Sequence, residues 1–166
     1  AKQIGISRMG ALKIAKRLEK ENVIVARVLG KVRFYKLNLG NDYVRQYLKF
    51  LLKREAEQAS PYVKVWVDEI KKIKYADAAV LFGSVLRKHK EAADIDVVLI
   101  TDKKKFPKLK KDVEEINKLN VKRLHPVYQT KEDFIINIKK EDKILLDSIK
   151  GVVIFGEEVI IGLLQT

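Results

Sequence analysis

Leu81-Phe82-Gly83-Ser84-Val85-Leu86-Arg87 and, ten residues beyond Ser84, Asp94-Ile95-Asp96-Val97-Val98-Leu99-Ile100 decide how this chain is read. The first segment reads as an apolar strand ending in a Gly-Ser turn that opens a helix. The second reads as another apolar strand bearing two aspartates. Residues two apart on a strand share a face, with Cα atoms roughly 6–7 Å apart, so both carboxylates converge. Two such charges repel, and burying them without a cation is costly. Hard divalent cations take carboxylate oxygens and share their coordination with substrate phosphates. Backbone amides of a Gly-Ser turn at a helix start suit those same phosphates. Together the halves imply one site for a metal-bound nucleoside triphosphate, and Asp96 inside an Ile-Val-Val-Leu-Ile run is expensive unless it serves such a site.

These segments, apolar-Gly-Ser followed by Asp-apolar-Asp-apolar, resemble the signature of the DNA polymerase beta-type nucleotidyltransferase superfamily. The short spacer makes the likeness strongest to its minimal members, and it covers roughly residues 61–166. It implies that Gly83 and Ser84 bind the triphosphate and that Arg87, or Lys88 beside it, offsets phosphate charge. It also implies that Asp94 and Asp96 are the catalytic and metal-binding carboxylates, with Mg²⁺ or Mn²⁺ as cofactor and an NTP, expected to be ATP, as substrate. A third carboxylate belongs on a nearby strand, yet the expected strand, Val121 through Gln129, contains no Asp or Glu. His125 there reads as a packed or hydrogen-bonded strand-end residue. Glu132 and Asp133 read as helix-opening acids, and Asp102 as the end of the aspartate strand. Lys88 and Ala93 depart from the residues common at those places in the family.

The rest of this half alternates: helix 61–74, strand 77–82, a helix from 84, strand 94–101, helix 107–118, strand 121–128, helical turns 131–149 and strand 151–155. That pattern fits a small α/β domain with a mixed sheet. Val65, Ile70, Ile73, Val113 and Ile116 are expected in its core, and Trp66 and Tyr75 read as packed aromatics.

At 166 residues and 47% hydrophobic content the chain can build real cores. No apolar run approaches a membrane span, and the absence of cysteine excludes disulfides and thiolate metal sites; a cytoplasmic protein is the expectation. The net charge of +13 is uneven: residues 1–60 hold 14 Lys/Arg against 5 Asp/Glu, and residues 61–166 hold 21 against 17. A basic excess concentrated in the first third points to nucleic acid.

Ser7 is the expected cap of a helix from Arg8 to about Glu21, with Met9, Leu12, Ala15 and Leu18 as its core stripe. Strands Val23–Leu29 and Val32–Leu37 follow, joined at Gly30-Lys31 as a tight hairpin. Gly5-Ile6-Ser7-Arg8, Leu18 through Ile24 and Gly30 through Asn38 resemble the second half of a winged helix-turn-helix domain. Only Lys2-Gln3-Ile4-Gly5 remains of the helix that precedes the turn in that family. The resemblance implies that Arg8, Lys13, Lys16 and Arg17 face double-stranded DNA and that Lys31 and Arg33 in the wing meet phosphate. Asn41 caps a helix to about Gln58, with Val44, Tyr47, Leu48, Leu51 and Leu52 as a core or dimer seam.

The expected architecture is therefore α/β (α+β). An N-terminally incomplete winged-helix domain spans 1–40, a linker or dimerisation helix 41–60, and a mixed-sheet nucleotidyltransferase domain 61–166. The expected function is metal-assisted transfer of NMP to an unidentified acceptor hydroxyl, coupled to DNA binding. The alternatives are a catalytically impaired DNA-binding regulator and a toxin–antitoxin component. The partners to test are a second copy of the chain and a small helical protein.

Overall fold

The computed structural model describes residues 5–165, so of the helix remnant expected at Lys2-Gln3-Ile4-Gly5 only Gly5, a turn residue, lies within them. The chain divides into two compact units, Ala1–Leu48 and Lys49–Thr166.

In the first unit, Ser7 caps α1 (Arg8–Lys20), its Oγ accepting from the Gly10 amide at 3.0 Å. Such a cap satisfies an amide that the helix start leaves bare and contributes about 1 kcal/mol. The helix stops at Asn22, which adopts φ 57. Strands β1 (Ile24–Leu29) and β2 (Val32–Leu37) then pair antiparallel, Leu29 opposite Val32, around Gly30-Lys31. The Asn38 side-chain amide donates to the Asn22 carbonyl and side-chain oxygen, tying the hairpin base to the end of α1. The expected stripe on α1 needs correction. Ala11, Ala15 and Leu18 are half-buried, but Met9 is 63% and Leu12 41% exposed. At about 100° per residue Met9 and Leu18 lie on opposite sides of the helix. Helix α2 (Asp42–Glu57) opens at Asn41, whose side-chain oxygen accepts from the Tyr43 amide at 3.1 Å.

The second unit is a mixed sheet covered on both faces. Its elements are α3 (Pro61–Ile70), β3 (Ala78–Leu81), α4 (Val85–Lys88), β4 (Ile95–Ile100), α5 (Phe106–Leu119), β5 (Leu124–Gln129), α6 (Lys131–Lys139), α7 (Lys143–Ser148), β6 (Val152–Phe155) and α8 (Glu157–Leu163). Strand order is β5-β4-β3-β6, with β4 and β5 parallel and the other pairs antiparallel. Strand alternation sorts the core. Ala79, Leu81, Ile95, Val97, Leu99 and Ile154 pack with Trp66, Val67 and Ile70 of α3 and Leu109, Val113 and Ile116 of α5. Ala78, Val80, Val98, Ile100 and Val153 pack with Phe134 of α6, Leu145 of α7 and Ile160 of α8.

Several expected boundaries move for local reasons. Helix 61–74 ends at Ile70, because the Lys74 amide donates to Asp112 while Ile73 turns inward. Strand 121–128 begins only at Leu124, since the neighbouring strand offers no partner before Ile95. The run 131–149 is two helices, split at Glu141 with φ 58, and Asp142 caps the second by accepting from the Ile144 and Leu145 amides. Val65 is 55% exposed, whereas Val63, Trp66, Val67 and Ile70 form the buried side at helical spacing. Trp66 and Tyr75 both belong to the packed core region. Helix α8, absent from the expected pattern, closes the second face. Among the described residues no helix is long and apolar enough to cross a membrane.

Gly156 turns the chain from β6 into α8 at φ 78, and a Cβ there would meet the Asp77 carbonyl oxygen at 2.3 Å and Ala78 Cα at 2.6 Å. Gly156→Ala is expected to cost about 2–4 kcal/mol through backbone strain and overpacking. Urea unfolding of the two proteins measures it.

Candidate functional site

The Gly-Ser turn grows out of the centre of the sheet. Beyond β3 the Phe82 amide still donates to the Asp96 carbonyl at 3.0 Å, so the chain stays beside β4 until it turns at Gly83, φ 80. The helix expected from Ser84 is a single turn, α4, with the Arg87 and Lys88 amides both returning to the Ser84 carbonyl. Nine residues must carry the chain back into an antiparallel neighbour, which leaves no room for more. His89, at φ 49, breaks the helix, and its Nδ1 lies 3.1 Å from Ser60 Oγ.

Asp94 stands just before β4 rather than within it, and Asp96 is the second residue of the strand. Asp96 shares its face with Val98 and Ile100, the face covered by α6, α7 and α8. Gly83 makes room for it: a Cβ at Gly83 would lie 2.2 Å from Asp96 Oδ2. The loop into Asp94 is held from β5's side, where the Lys122 ammonium donates to the Lys90 and Ala92 carbonyls. The Ile95 amide donates to the Arg123 carbonyl at 3.0 Å and starts the parallel pairing.

That pairing sets Asp96 directly against His125. His125 Nδ1 lies 3.2 Å from Asp96 Oδ1, and one donor atom from each of Asp94, Asp96 and His125 falls within 4.8 Å of the other two. His125 is thus the hydrogen-bonded strand-end residue expected from the sequence, with Asp96 as its partner, on the strand where a third carboxylate was sought. The donor set suits a divalent cation: two hard oxygens, an imidazole nitrogen, and a cradle that Gly83 alone leaves open.

A cleft of about 390 Å³ opens beside these groups. Phe82, Gly83, Ser84, Arg87, Asp96, His125 and Val127 line one side, and Lys143, Ile144 and Asp147 of α7 the other. Gly83, Ser84, Arg87 and Asp96, all singled out from sequence, are therefore brought together, and Asp94 joins them through Asp96 and His125. Lys88 is not among the lining residues. Lys143 and Asp147, one helical turn apart on one face, were not foreseen. No local spacing links α7 to a β3–β4 turn; only the coverage of that sheet face does. Asp102 follows the far end of β4, about 20 Å along the strand from Asp96, in a second cleft with Asp77. The Asp77 carboxylate there accepts from Lys105 at 2.6 Å and holds that ammonium above its usual range. Glu132 and Asp133 open α6 behind the Thr130 cap.

In the first unit, Arg8, Lys13, Lys16 and Arg17 are exposed on α1, Lys31 sits at the hairpin turn and Arg33 on β2. Arg17 pairs with Glu21 at 2.8 Å and Arg33 with Glu19 at 3.5 Å. Such exposed pairs are weak and exchange readily for phosphate.

The family model "Polymerase beta, Nucleotidyltransferase" matches residues 67–156, which runs from late α3 through β6. No curated protein and no solved structure matches the chain.

Gly83→Ala is expected to place a side chain in a left-handed backbone at a cost of about 1–3 kcal/mol and to push the Asp96 carboxylate aside. Divalent-cation affinity, read by calorimetric titration, should fall at least about tenfold, as it does when a ligand's orientation is lost.

Proposed function

This chain belongs to the polymerase beta nucleotidyltransferase family, and from that premise we propose that its second unit transfers a nucleoside monophosphate from an NTP, with ATP as the first donor to test, to an acceptor hydroxyl. The observation that carries this reading is that Asp96 shares one cleft with the Gly83-Ser84 turn, with a donor atom of Asp94 within 4.8 Å of one of Asp96.

Asp94 and Asp96 would hold the divalent cation, which when bound polarises the α-phosphate and stabilises the leaving pyrophosphate. The Gly83-Ser84 backbone would meet triphosphate oxygens, because the missing Cβ lets a ligand approach the main chain. Arg87 and Lys143, on opposite walls, would neutralise phosphate charge and fix the chain of phosphates across the cleft. The bond from the α-phosphorus to the pyrophosphate oxygen breaks, the bond to the acceptor oxygen forms, and the hydroxyl proton leaves. Phe82, Ile144 and Val127 give the cleft an apolar flank that strengthens those charge contacts.

The first unit supplies the second part of the proposal. Its helix and exposed hairpin, with Lys13, Lys16 and Arg17 on one and Lys31 and Arg33 on the other, fit a winged-helix reading in which duplex DNA is held by phosphate contacts. One observation favours a second function: β5 carries no carboxylate, so an obvious base for the acceptor hydroxyl is missing. A nucleotide-sensing DNA-binding regulator, or a toxin–antitoxin component built on the same cleft, would need no such base.

Incubation with α-labelled NTPs and a divalent cation separates the readings. Wild type should transfer label, and Asp94→Ala/Asp96→Ala should not. Metal-dependent NTP binding without transfer would favour the regulator, and neither would sink both. For the first unit, log affinity for duplex DNA should fall linearly with log salt. Lys13→Ala and Lys16→Ala should each reduce the slope by about one.

A further inference from the structure

We propose that His125 is a third protein ligand of the metal held by Asp94 and Asp96, and that its imidazole turns the site's preference from Mg²⁺ toward first-row transition ions such as Mn²⁺ and, more strongly, Co²⁺. The proposal rests on the metal–nucleotide reading of the cleft and names the cation class that the reading leaves open.

The placement is fixed by backbone, not by a flexible side chain reaching in. Parallel pairing from Ile95–Leu124 through Ile100–Gln129 sets residue 125 opposite residue 96, so the two side chains leave the sheet on the same face. Pro126 biases the backbone of the residue before it away from the helical region, in keeping with the extended conformation of His125 on β5. Leu124, just before, is 3% exposed and its amide donates to Asn117 at 2.7 Å, anchoring the strand start. Two donors that share one ion at ordinary bond lengths stand about 3 Å apart. His125 Nδ1 and Asp96 Oδ1 are 3.2 Å apart, and Asp94 brings its oxygen within 4.8 Å of both. The nearby cations Lys122 and Arg123 precede β5, and Lys122 is bonded to the loop carbonyls before Asp94.

The chemistry follows from the donor type. Mg²⁺ bonding is chiefly electrostatic and favours carboxylate, carbonyl and water oxygens, whereas imidazole suits ions higher in the order Mn²⁺, Fe²⁺, Co²⁺. A site with two carboxylates and a neutral imidazole carries less negative charge than one with three carboxylates. Its hold on Mg²⁺ weakens, while the nitrogen donor retains the transition ion. His125 is therefore a selectivity-determining ligand.

The test uses the full chain with the metals alone. Calorimetric titration with Mg²⁺, Mn²⁺ and Co²⁺ should show the Mn²⁺-to-Mg²⁺ and Co²⁺-to-Mg²⁺ affinity ratios of wild type falling by about tenfold or more in His125→Asp. Pulsed electron paramagnetic resonance of bound Mn²⁺ should show coupling to an imidazole nitrogen in wild type and none in His125→Ala. His125 is exposed, so circular dichroism should find both variants folded. Unchanged ratios in His125→Asp, or no nitrogen coupling in wild type, would overturn the proposal, leaving His125 as a hydrogen-bond partner of Asp96 only. Asp94→Asn/Asp96→Asn distinguishes the premise: lost divalent binding keeps the metal–nucleotide reading intact, and wild-type binding in that variant overturns both.

Discussion

Strand β4 is hydrogen-bonded on both edges, antiparallel to β3 and parallel to β5, and every feature of the cleft depends on that double register. A slip of one residue against either neighbour would turn Asp96 to the opposite face. There it would be buried among Ala79, Leu81 and the side chains of α3 and α5. The cost of a buried unpaired carboxylate and the cost of exposing Ile95, Val97 and Leu99 both oppose such a slip. The hydrophobic core therefore fixes the register, and the register in turn sets Asp96 against Gly83 on one side and His125 on the other. The geometry of the cleft is a by-product of how the core packs.

Helix coverage decides which end of that face stays open. Phe134, Leu145 and Ile160 seal the sheet over Val98, Ile100 and Val153. Toward Asp96 the covering α7 presents Lys143, Ile144 and Asp147 at its edge instead of a continuous apolar face. The Asp142 cap and the break at Glu141 start α7 anew at this point. Had α6 continued unbroken, Lys143 would project from a different helix at a different angle. The split of one expected helical run into two thus shapes the wall opposite the Gly-Ser turn.

The fold of the second unit was largely legible because its signals are local. The apolar run Val97–Ile100, the Gly-Ser turn and the alternation of strands with helices each need only a short window of chain. Of the site, Gly83, Ser84, Arg87, Asp94 and Asp96 were legible for the same reason. His125 was legible as a hydrogen-bonded strand-end residue, but its partner Asp96 was not, because a register between strands 29 residues apart is not written in either strand. Lys143 and Asp147 were invisible for the same reason at longer range. In the first unit the three- and four-residue spacing of Met9, Leu12, Ala15 and Leu18 suggested one stripe. Spacing errors accumulate around a helix, and the ends of that set fall on opposite sides, so of its members Ala15 and Leu18 are half-covered while Met9 and Leu12 are exposed.

Under the proposed reading, the replacement of a carboxylate by His125 also redistributes charge within the cleft. Two carboxylates balance a single divalent cation. A second cation would then depend on the triphosphate oxygens for most of its negative partners, and it would arrive with the nucleotide instead of waiting for it. Arg87 and Lys143 gain importance in that arrangement, since they are the protein's own positive charges facing the phosphates. A guanidinium gives planar, paired hydrogen bonds, and an ammonium gives a compact point charge. Placed on opposite walls, they would orient the phosphates even where metal coordination is incomplete. The site is consequently better fitted to hold a metal–nucleotide complex firmly than to activate an acceptor hydroxyl, so the acceptor must bring much of its own reactivity or its own base.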